Sequence, residues 1–106
     1  MDQVLIGIDG GATKVAGGII AQKKDGSFVL ASEVVKVKYR SCPSFSADFH
    51  PVQNAIQLQE LSSNNINLSI EEERQGIAYA EACESVIIEL LNNCGADKAK
   101  IGIGMP

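Results

Sequence analysis

The chain reads as an α/β protein in which three antiparallel strands are followed by a helix and a further strand parallel to the first. Three observations predict that order. An apolar run from Val4 to Ile8 ends in the glycine-rich stretch "DGGATK". An Asp25-Gly26 pair separates two apolar, β-branched stretches, which is a strong hairpin signal. A long amphipathic segment over 70–94 precedes a second glycine-bearing run, "KIGIGMP". A helix between two such strands is the usual crossover to a parallel neighbour.

The run "VLIGI" fits a strand buried on both faces. Residues 9–13 form the turn after it. The next stretch, "KVAGGIIA", is read as a strand, because a helix would carry Gly17 and Gly18 in its interior. Each would cost about 1 kcal/mol relative to Ala. Strand two then covers 14–22 and strand three 27–39, completing a meander over 1–39. Late in strand three Val35, Val37 and Tyr39 face one way and Lys36 and Lys38 the other, whereas "FVLA" at its start is apolar on both sides. That pattern suggests a strand that enters from a covered sheet and leaves toward solvent.

Residues 40–69 lack periodicity, hold Pro43 and Pro51, and are expected to form a long irregular insertion. Within it "NAIQLQEL" suits a short helix or an extended piece equally. The helix over 70–94 opens with Ser69 and Glu72 in capping-box spacing. Glu71, Glu72 and Glu73 sit in the first turn, where the helix dipole favours negative charge. Ile77, Ala80, Cys83, Ile87, Leu90 or Leu91, and Cys94 recur at helical spacing and predict the apolar face. Gly95 is placed to stop the helix. The fourth strand covers 99–106, and the sequence stops just as a second glycine-rich strand end begins. The expectation is a partial N-terminal lobe over 1–106.

Composition narrows the function. The chain has 106 residues and a formal net charge of −4. No basic run is longer than Lys23-Lys24, so the footprint of a nucleic-acid binder is missing. Three cysteines without a C-x-x-C pattern argue for free thiols in a reducing compartment, not for a disulfide framework or a zinc site. Cys83 and Cys94 are expected on the apolar helix face. The "MDQ" start is acidic and the first apolar run is too short to span a bilayer. The expectation is a cytoplasmic protein with no membrane partner.

The stretch "GIDGGATK" carries the chemistry. A P-loop would need a Gly-Lys pair and a following helix, and neither is present. A dinucleotide fingerprint would need other glycine spacing and again a helix. What remains is a β-hairpin whose tight turn wraps a phosphate. Gly10 and Gly11 are free to adopt positive φ and allow close backbone approach. Successive N–H groups in such a turn form an anion-binding nest, so Gly10, Gly11, Ala12, Thr13 and Lys14 are the candidate phosphate-binding residues. Thr13 adds a hydroxyl donor, and Lys14 either adds a positive charge or is simply solvated. Asp9 is the candidate metal-associated acid, holding Mg²⁺ through water. A carboxylate alone would repel phosphate, and a cation between them removes the conflict. Gly17 and Gly18 are read as packing glycines, His50 as a solvated loop residue, and Glu71 to Arg74 as a solvated helix start.

"GIDGGATK" on a hairpin, followed by a third strand, a helix and "IGIGMP", resembles the N-terminal part of the sugar kinase/actin/heat-shock chaperone ATPase superfamily. Asp9-Gly10-Gly11-Ala12-Thr13-Lys14 is similar to the D-x-G-G-T-K of ROK-type sugar kinases, with one extra residue before Thr13. That departure leans toward the D-G-G-G-T-K of N-acetylglucosamine kinase and BadF-type ATPases, while "GIGMP" is similar to the G-x-G-x-P-G of ROK kinases. The resemblance does not extend to residues 40–69. It implies a ribonuclease-H-like lobe, one of two that would clamp Mg-ATP, with Asp9 beside the metal and 10–14 near the β- and γ-phosphates. It implies an ATP-dependent kinase of a sugar or amino sugar. The catalytic base would lie beyond Pro106, so no catalytic residue falls within the chain and the chain alone should not transfer phosphoryl groups. A BadF-type ATPase acting as a conformational switch is the alternative. A lone lobe would expose apolar surface, so a homo-oligomer is a further expectation.

Overall fold

The computed structural model describes residues 3–48 and 69–104. In them a mixed five-stranded sheet packs one face against one helix. The elements are β1 (Gln3–Gly10), β2 (Lys14–Gln22), β3 (Phe28–Leu30), β4 (Val35–Lys38), a 3-10 turn (Tyr39–Ser41), α1 (Ile70–Cys94) and β5 (Lys98–Gly104). β1 and β2 are antiparallel, with Leu5 opposite Ile20 and Gly10 opposite Val15. β3 and β4 both pair antiparallel with β2, at opposite ends of it. β5 runs parallel to β1, from Gln3 beside Lys98 to Asp9 beside Gly104. The expected α/β class and the helical crossover to a parallel strand are both present. His50 and residues 49–68 of the expected insertion lie outside the described residues.

The Asp25-Gly26 turn forms as its sequence dictates. Gly26 takes φ 89°, the Gly26 N–H donates to the Lys23 carbonyl (3.0 Å), and the Asp25 carboxylate accepts from Ser27 N–H (2.9 Å). The strand after it departs from expectation. A single strand over 27–39 is replaced by β3 and β4, separated at residues 31–34. Two residues of β2, Gly18 and Ile19, face four residues there, Ala31 to Val34. Ser32 makes the break: its hydroxyl accepts the Ile19 N–H (2.8 Å) in place of a ladder carbonyl and donates to the Glu33 carbonyl (2.9 Å). A two-residue insertion preserves the side-chain parity of the strand, whereas one residue would reverse it. Val35 and Val37 therefore still face the helix, and Tyr39 follows them inward from the 3-10 turn. The "FVLA" segment is not covered on both sides: Phe28 and Leu30 point to the uncovered face and are 60% and 56% exposed.

β1 departs from expectation in the same sense. Val4, Ile6 and Ile8 are buried against the helix, but Leu5 and Gly7 on the other face are half-buried and Asp9 is exposed. Among the described residues the sheet is covered on one side only, by α1.

The helix begins with the full capping box: Ser69 Oγ accepts the Glu72 N–H (3.1 Å) and the Glu72 carboxylate accepts the Ser69 N–H (3.1 Å). It ends at Gly95 in the left-handed conformation, φ 71°. Its buried face differs from the predicted stripe. Ala78, Ala82, Cys83, Val86 and Leu90 are inside, while Ile77, Ala80 and Cys94 are exposed. The helix lies over β2 and β4, where Gly17 and two alanines let the backbones approach closely. Ile77 is left exposed, and Ile87 and Ile88 line an apolar groove between the helix and Ile103 of β5. Among the described residues no helix is long and apolar enough to cross a membrane.

Candidate anion-binding hairpin

The β1–β2 connection is a three-residue loop, Gly11 to Thr13, closed by the Gly11 N–H donating to the Lys14 carbonyl (2.9 Å). Strand alternation decides what lies on each side of it. Gly10 and Val15 face the helix and are buried, so Asp9 and Lys14 face the uncovered side of the sheet. Both are exposed. Below Asp9 that face has a floor of small residues, Gly7, Ala16, Gly18 and Gly102, and forms an open groove of about 410 Å³ closed at its far end by Ile20, Leu30 and Val34.

The expected reason for the two glycines needs correction. Neither Gly10 nor Gly11 takes a positive φ; among the described residues the left-handed glycines are Gly26 and Gly95. Gly10 is required by space instead. A Cβ there would run into the Tyr79 ring, with Cε2 only 2.8 Å away. A Cβ on Gly11 would sit 3.1 Å from the Lys14 carbonyl oxygen, tight but less severe. The loop still presents donors. Among the described residues, no hydrogen bond uses the N–H groups of Ala12 or Thr13, and both residues are exposed.

Two tyrosines that sequence reasoning did not assign to the site support this loop. Tyr39, 4% exposed, donates its hydroxyl to the Gly11 carbonyl (2.6 Å) and its N–H to the Thr13 carbonyl (3.1 Å). Tyr79 packs under Gly10, its ring 5.9 Å from that of Tyr39. Burial is the main cause that pushes the Tyr39 hydroxyl up to about 12, with smaller repulsion from Tyr79, Cys83, Asp9 and Cys42. Burial also raises Tyr79, followed by Cys83 and Asp9. The Tyr79 hydroxyl is buried without a hydrogen-bond partner among the described residues. The sequence signal for Tyr39 was its place at the end of the inward-facing Val35, Val37 alternation.

Charge collects beside the loop. Lys14 on β2 stands directly opposite Lys38 on β4, and Lys36 stands opposite Ala16, so all three lysines share the face of Asp9. Like charges placed directly opposite across a ladder repel. In a chain of net charge −4 this is a local cationic corner at the loop.

As a metal site the corner is minimal. Among the described residues no group of three or more His, Cys, Asp or Glu side chains gathers. A lone exposed carboxylate fits Mg²⁺ only as part of a metal–phosphate complex, because Mg²⁺ keeps several waters and takes one or two carboxylates plus phosphate oxygens. The thiols offer no cluster either: Cys42 and Cys83 are buried, Cys94 is exposed, and all three are free. No family model, no curated protein and no solved structure matches the chain.

Proposed function

We propose that this chain is the phosphate-binding N-terminal lobe of a ribonuclease-H-like, ATP-dependent small-molecule kinase, with a sugar or amino sugar as acceptor. The observation that carries this reading is the hairpin corner. Ala12 and Thr13, whose backbone N–H groups have no partner among the described residues, lie exposed in a loop flanked by Asp9 and by Lys14, Lys36 and Lys38. The order of three antiparallel strand positions, a helix and a parallel strand supports it, as does the level of Gly104 with Asp9 across β1 and β5.

In this reading the Ala12 and Thr13 N–H groups bind phosphate oxygens and fix their orientation. Lys14 and Lys38 neutralise phosphate charge, and their mutual repulsion is relieved by the anion between them. Bound Mg²⁺ would supply charge neutralisation between phosphate oxygens, and Asp9 would hold it through water. The acceptor base lies outside residues 1–106, so the lobe binds nucleotide and does not turn it over.

Titration calorimetry of the chain with Mg·ADP tests the reading. Binding that needs magnesium, and that weakens about 10–100-fold in Asp9→Asn as for other metal-supporting carboxylates, is the expected result. No heat of binding from a folded chain would overturn it. ATP consumption by this chain without an acceptor would favour the ATPase-switch alternative.

A further inference from the structure

We propose that Tyr39 is the positioning residue of the hairpin loop, strapping it from below so that the Ala12 N–H points outward to an anion. This rests on the reading that the loop binds the phosphates of a nucleotide. The loop has three residues and one cross-strand bond of its own, from the Gly11 N–H to the Lys14 carbonyl. Tyr39 takes the two carbonyls that remain at its ends, Gly11 by hydroxyl and Thr13 by backbone N–H. A peptide plane carries its carbonyl and the following N–H on opposite sides. Drawing the Gly11 carbonyl toward Tyr39 therefore turns the Ala12 N–H away from the protein. Drawing the Thr13 carbonyl inward turns the Lys14 N–H the other way and pins the loop's second end.

The strap is itself anchored. The Cys42 N–H donates to the Tyr39 carbonyl (2.9 Å) and closes the 3-10 turn. Two turns on, Ser44 donates its N–H (3.0 Å) and hydroxyl (3.2 Å) to the Glu81 carboxylate, and Arg74 donates to the Ser44 carbonyl (3.2 Å). The segment holding Tyr39 is thus fixed to the middle of α1. The loop tip gains the rigidity of the helix through one side chain, and its donors stay fixed before the ligand arrives.

The experiment uses the ¹⁵N-labelled chain, with Tyr39→Phe beside a destabilised control, Ser69→Ala, that does not touch the loop. Measurements are made where all three are fully folded. In the free chains, heteronuclear NOE values at Ala12 and Thr13 should fall in Tyr39→Phe and not in Ser69→Ala. With Mg·ADP as probe, Tyr39→Phe should weaken binding about three- to tenfold, the scale of one neutral hydrogen bond. Ser69→Ala should bind as the unchanged chain does. Unaltered NOE values in Tyr39→Phe overturn the strap, whether or not nucleotide binds. Altered NOE values with unaltered Mg·ADP affinity overturn its role in binding. An unchanged chain that ignores Mg·ADP overturns the nucleotide reading instead, and the NOE comparison still decides the strap. If Tyr39→Phe fails to fold, the unchanged chain decides: a slowly exchanging Tyr39 hydroxyl proton with an NOE to the Gly11 α-protons supports the bond, and its absence overturns it.

Discussion

Gly17→Ala is the most direct test of how closely the helix sits on the sheet. A methyl group at residue 17 would lie 2.5 Å from Val86 Cγ1, 3.3 Å from the Gly7 carbonyl oxygen and 3.4 Å from Ile8 Cγ1. Carbon atoms are content at about 3.5–4.0 Å, so the first contact overlaps by about 1 Å or more. Val86 has no exposure and, being β-branched in a helix, essentially one rotamer. Relief must come from moving α1 off β2, and overpacking of that kind costs about 1–3 kcal/mol. The lower entropy of the unfolded alanine chain offsets about 0.4–1 kcal/mol. The net expectation is a loss of about 1–2 kcal/mol, or a melting point lower by about 4–8 °C for each kcal/mol. Thermal and urea denaturation of Gly17→Ala, Val86→Ala and the double variant read this out. Val86→Ala alone removes two methyl groups, about 1.6 kcal/mol before any cavity term. In the double variant the new methyl occupies the vacated space, so its loss should be clearly smaller than the sum of the two. A Gly17→Ala chain as stable as the original, or strictly additive losses, would refute the close approach.

Other perturbations have equally definite outcomes. Tyr79→Phe removes a buried hydroxyl that has no partner among the described residues, and should leave stability unchanged or raise it by about 1 kcal/mol in urea denaturation. Ser69→Ala breaks the capping box and should cost about 1 kcal/mol. Lys38→Ala removes the charge opposite Lys14; it should stabilise the free chain by a few tenths of a kcal/mol at low salt while weakening Mg·ADP binding measured by calorimetry. The alkaline limit follows from the tyrosines. Both folded-state values are raised, Tyr39 to about 12 against an ordinary 10. Their contribution is therefore fully present below pH 10 and is lost as pH rises from 10 through 12. The chain has two tyrosines and no tryptophan, so tyrosinate absorbance should appear only together with loss of native circular dichroism; a full tyrosinate signal near pH 10 in a folded chain would contradict the burial of both rings.

Elements with strong local signals were legible in the sequence, because their causes are local. The Asp25-Gly26 turn needs one residue with positive φ and has it. The helix start needs a hydroxyl and a carboxylate three residues apart and has both. The misplaced features depend on what packs against what. Bulky Ile77 outweighs Ala78 in any apolar stripe, yet Ala78 lies on the buried face of α1 with Ala82, Val86 and Leu90, and Ile77 does not. Ser32 breaks the third strand through a hydroxyl that replaces a ladder acceptor, and no propensity encodes that. The doubly buried reading of "VLIGI" assumed cover on both faces, and among the described residues the cover is α1 alone.

The two glycines of the loop show the same division at the scale of one residue. Read along the sequence, Gly10 and Gly11 suggest backbone conformations closed to other residues. In the fold they mark close approach instead: Tyr79 occupies the place of a Cβ on Gly10, and the Lys14 carbonyl crowds one on Gly11. The inference from glycine to backbone conformation fails, but the inference from glycine to a crowded loop holds, with the crowding coming from the protein's own side. That inversion bears on the chemistry. Among the described residues, a loop packed tightly from beneath by Tyr79 and bonded from beneath by Tyr39 has one free side, the side of Asp9 and the lysines, to which the proposed strap turns the Ala12 N–H. Donors fixed outward lose little freedom when an anion binds, so the small residues of "DGGATK" serve the ligand by letting the protein grip the loop from behind.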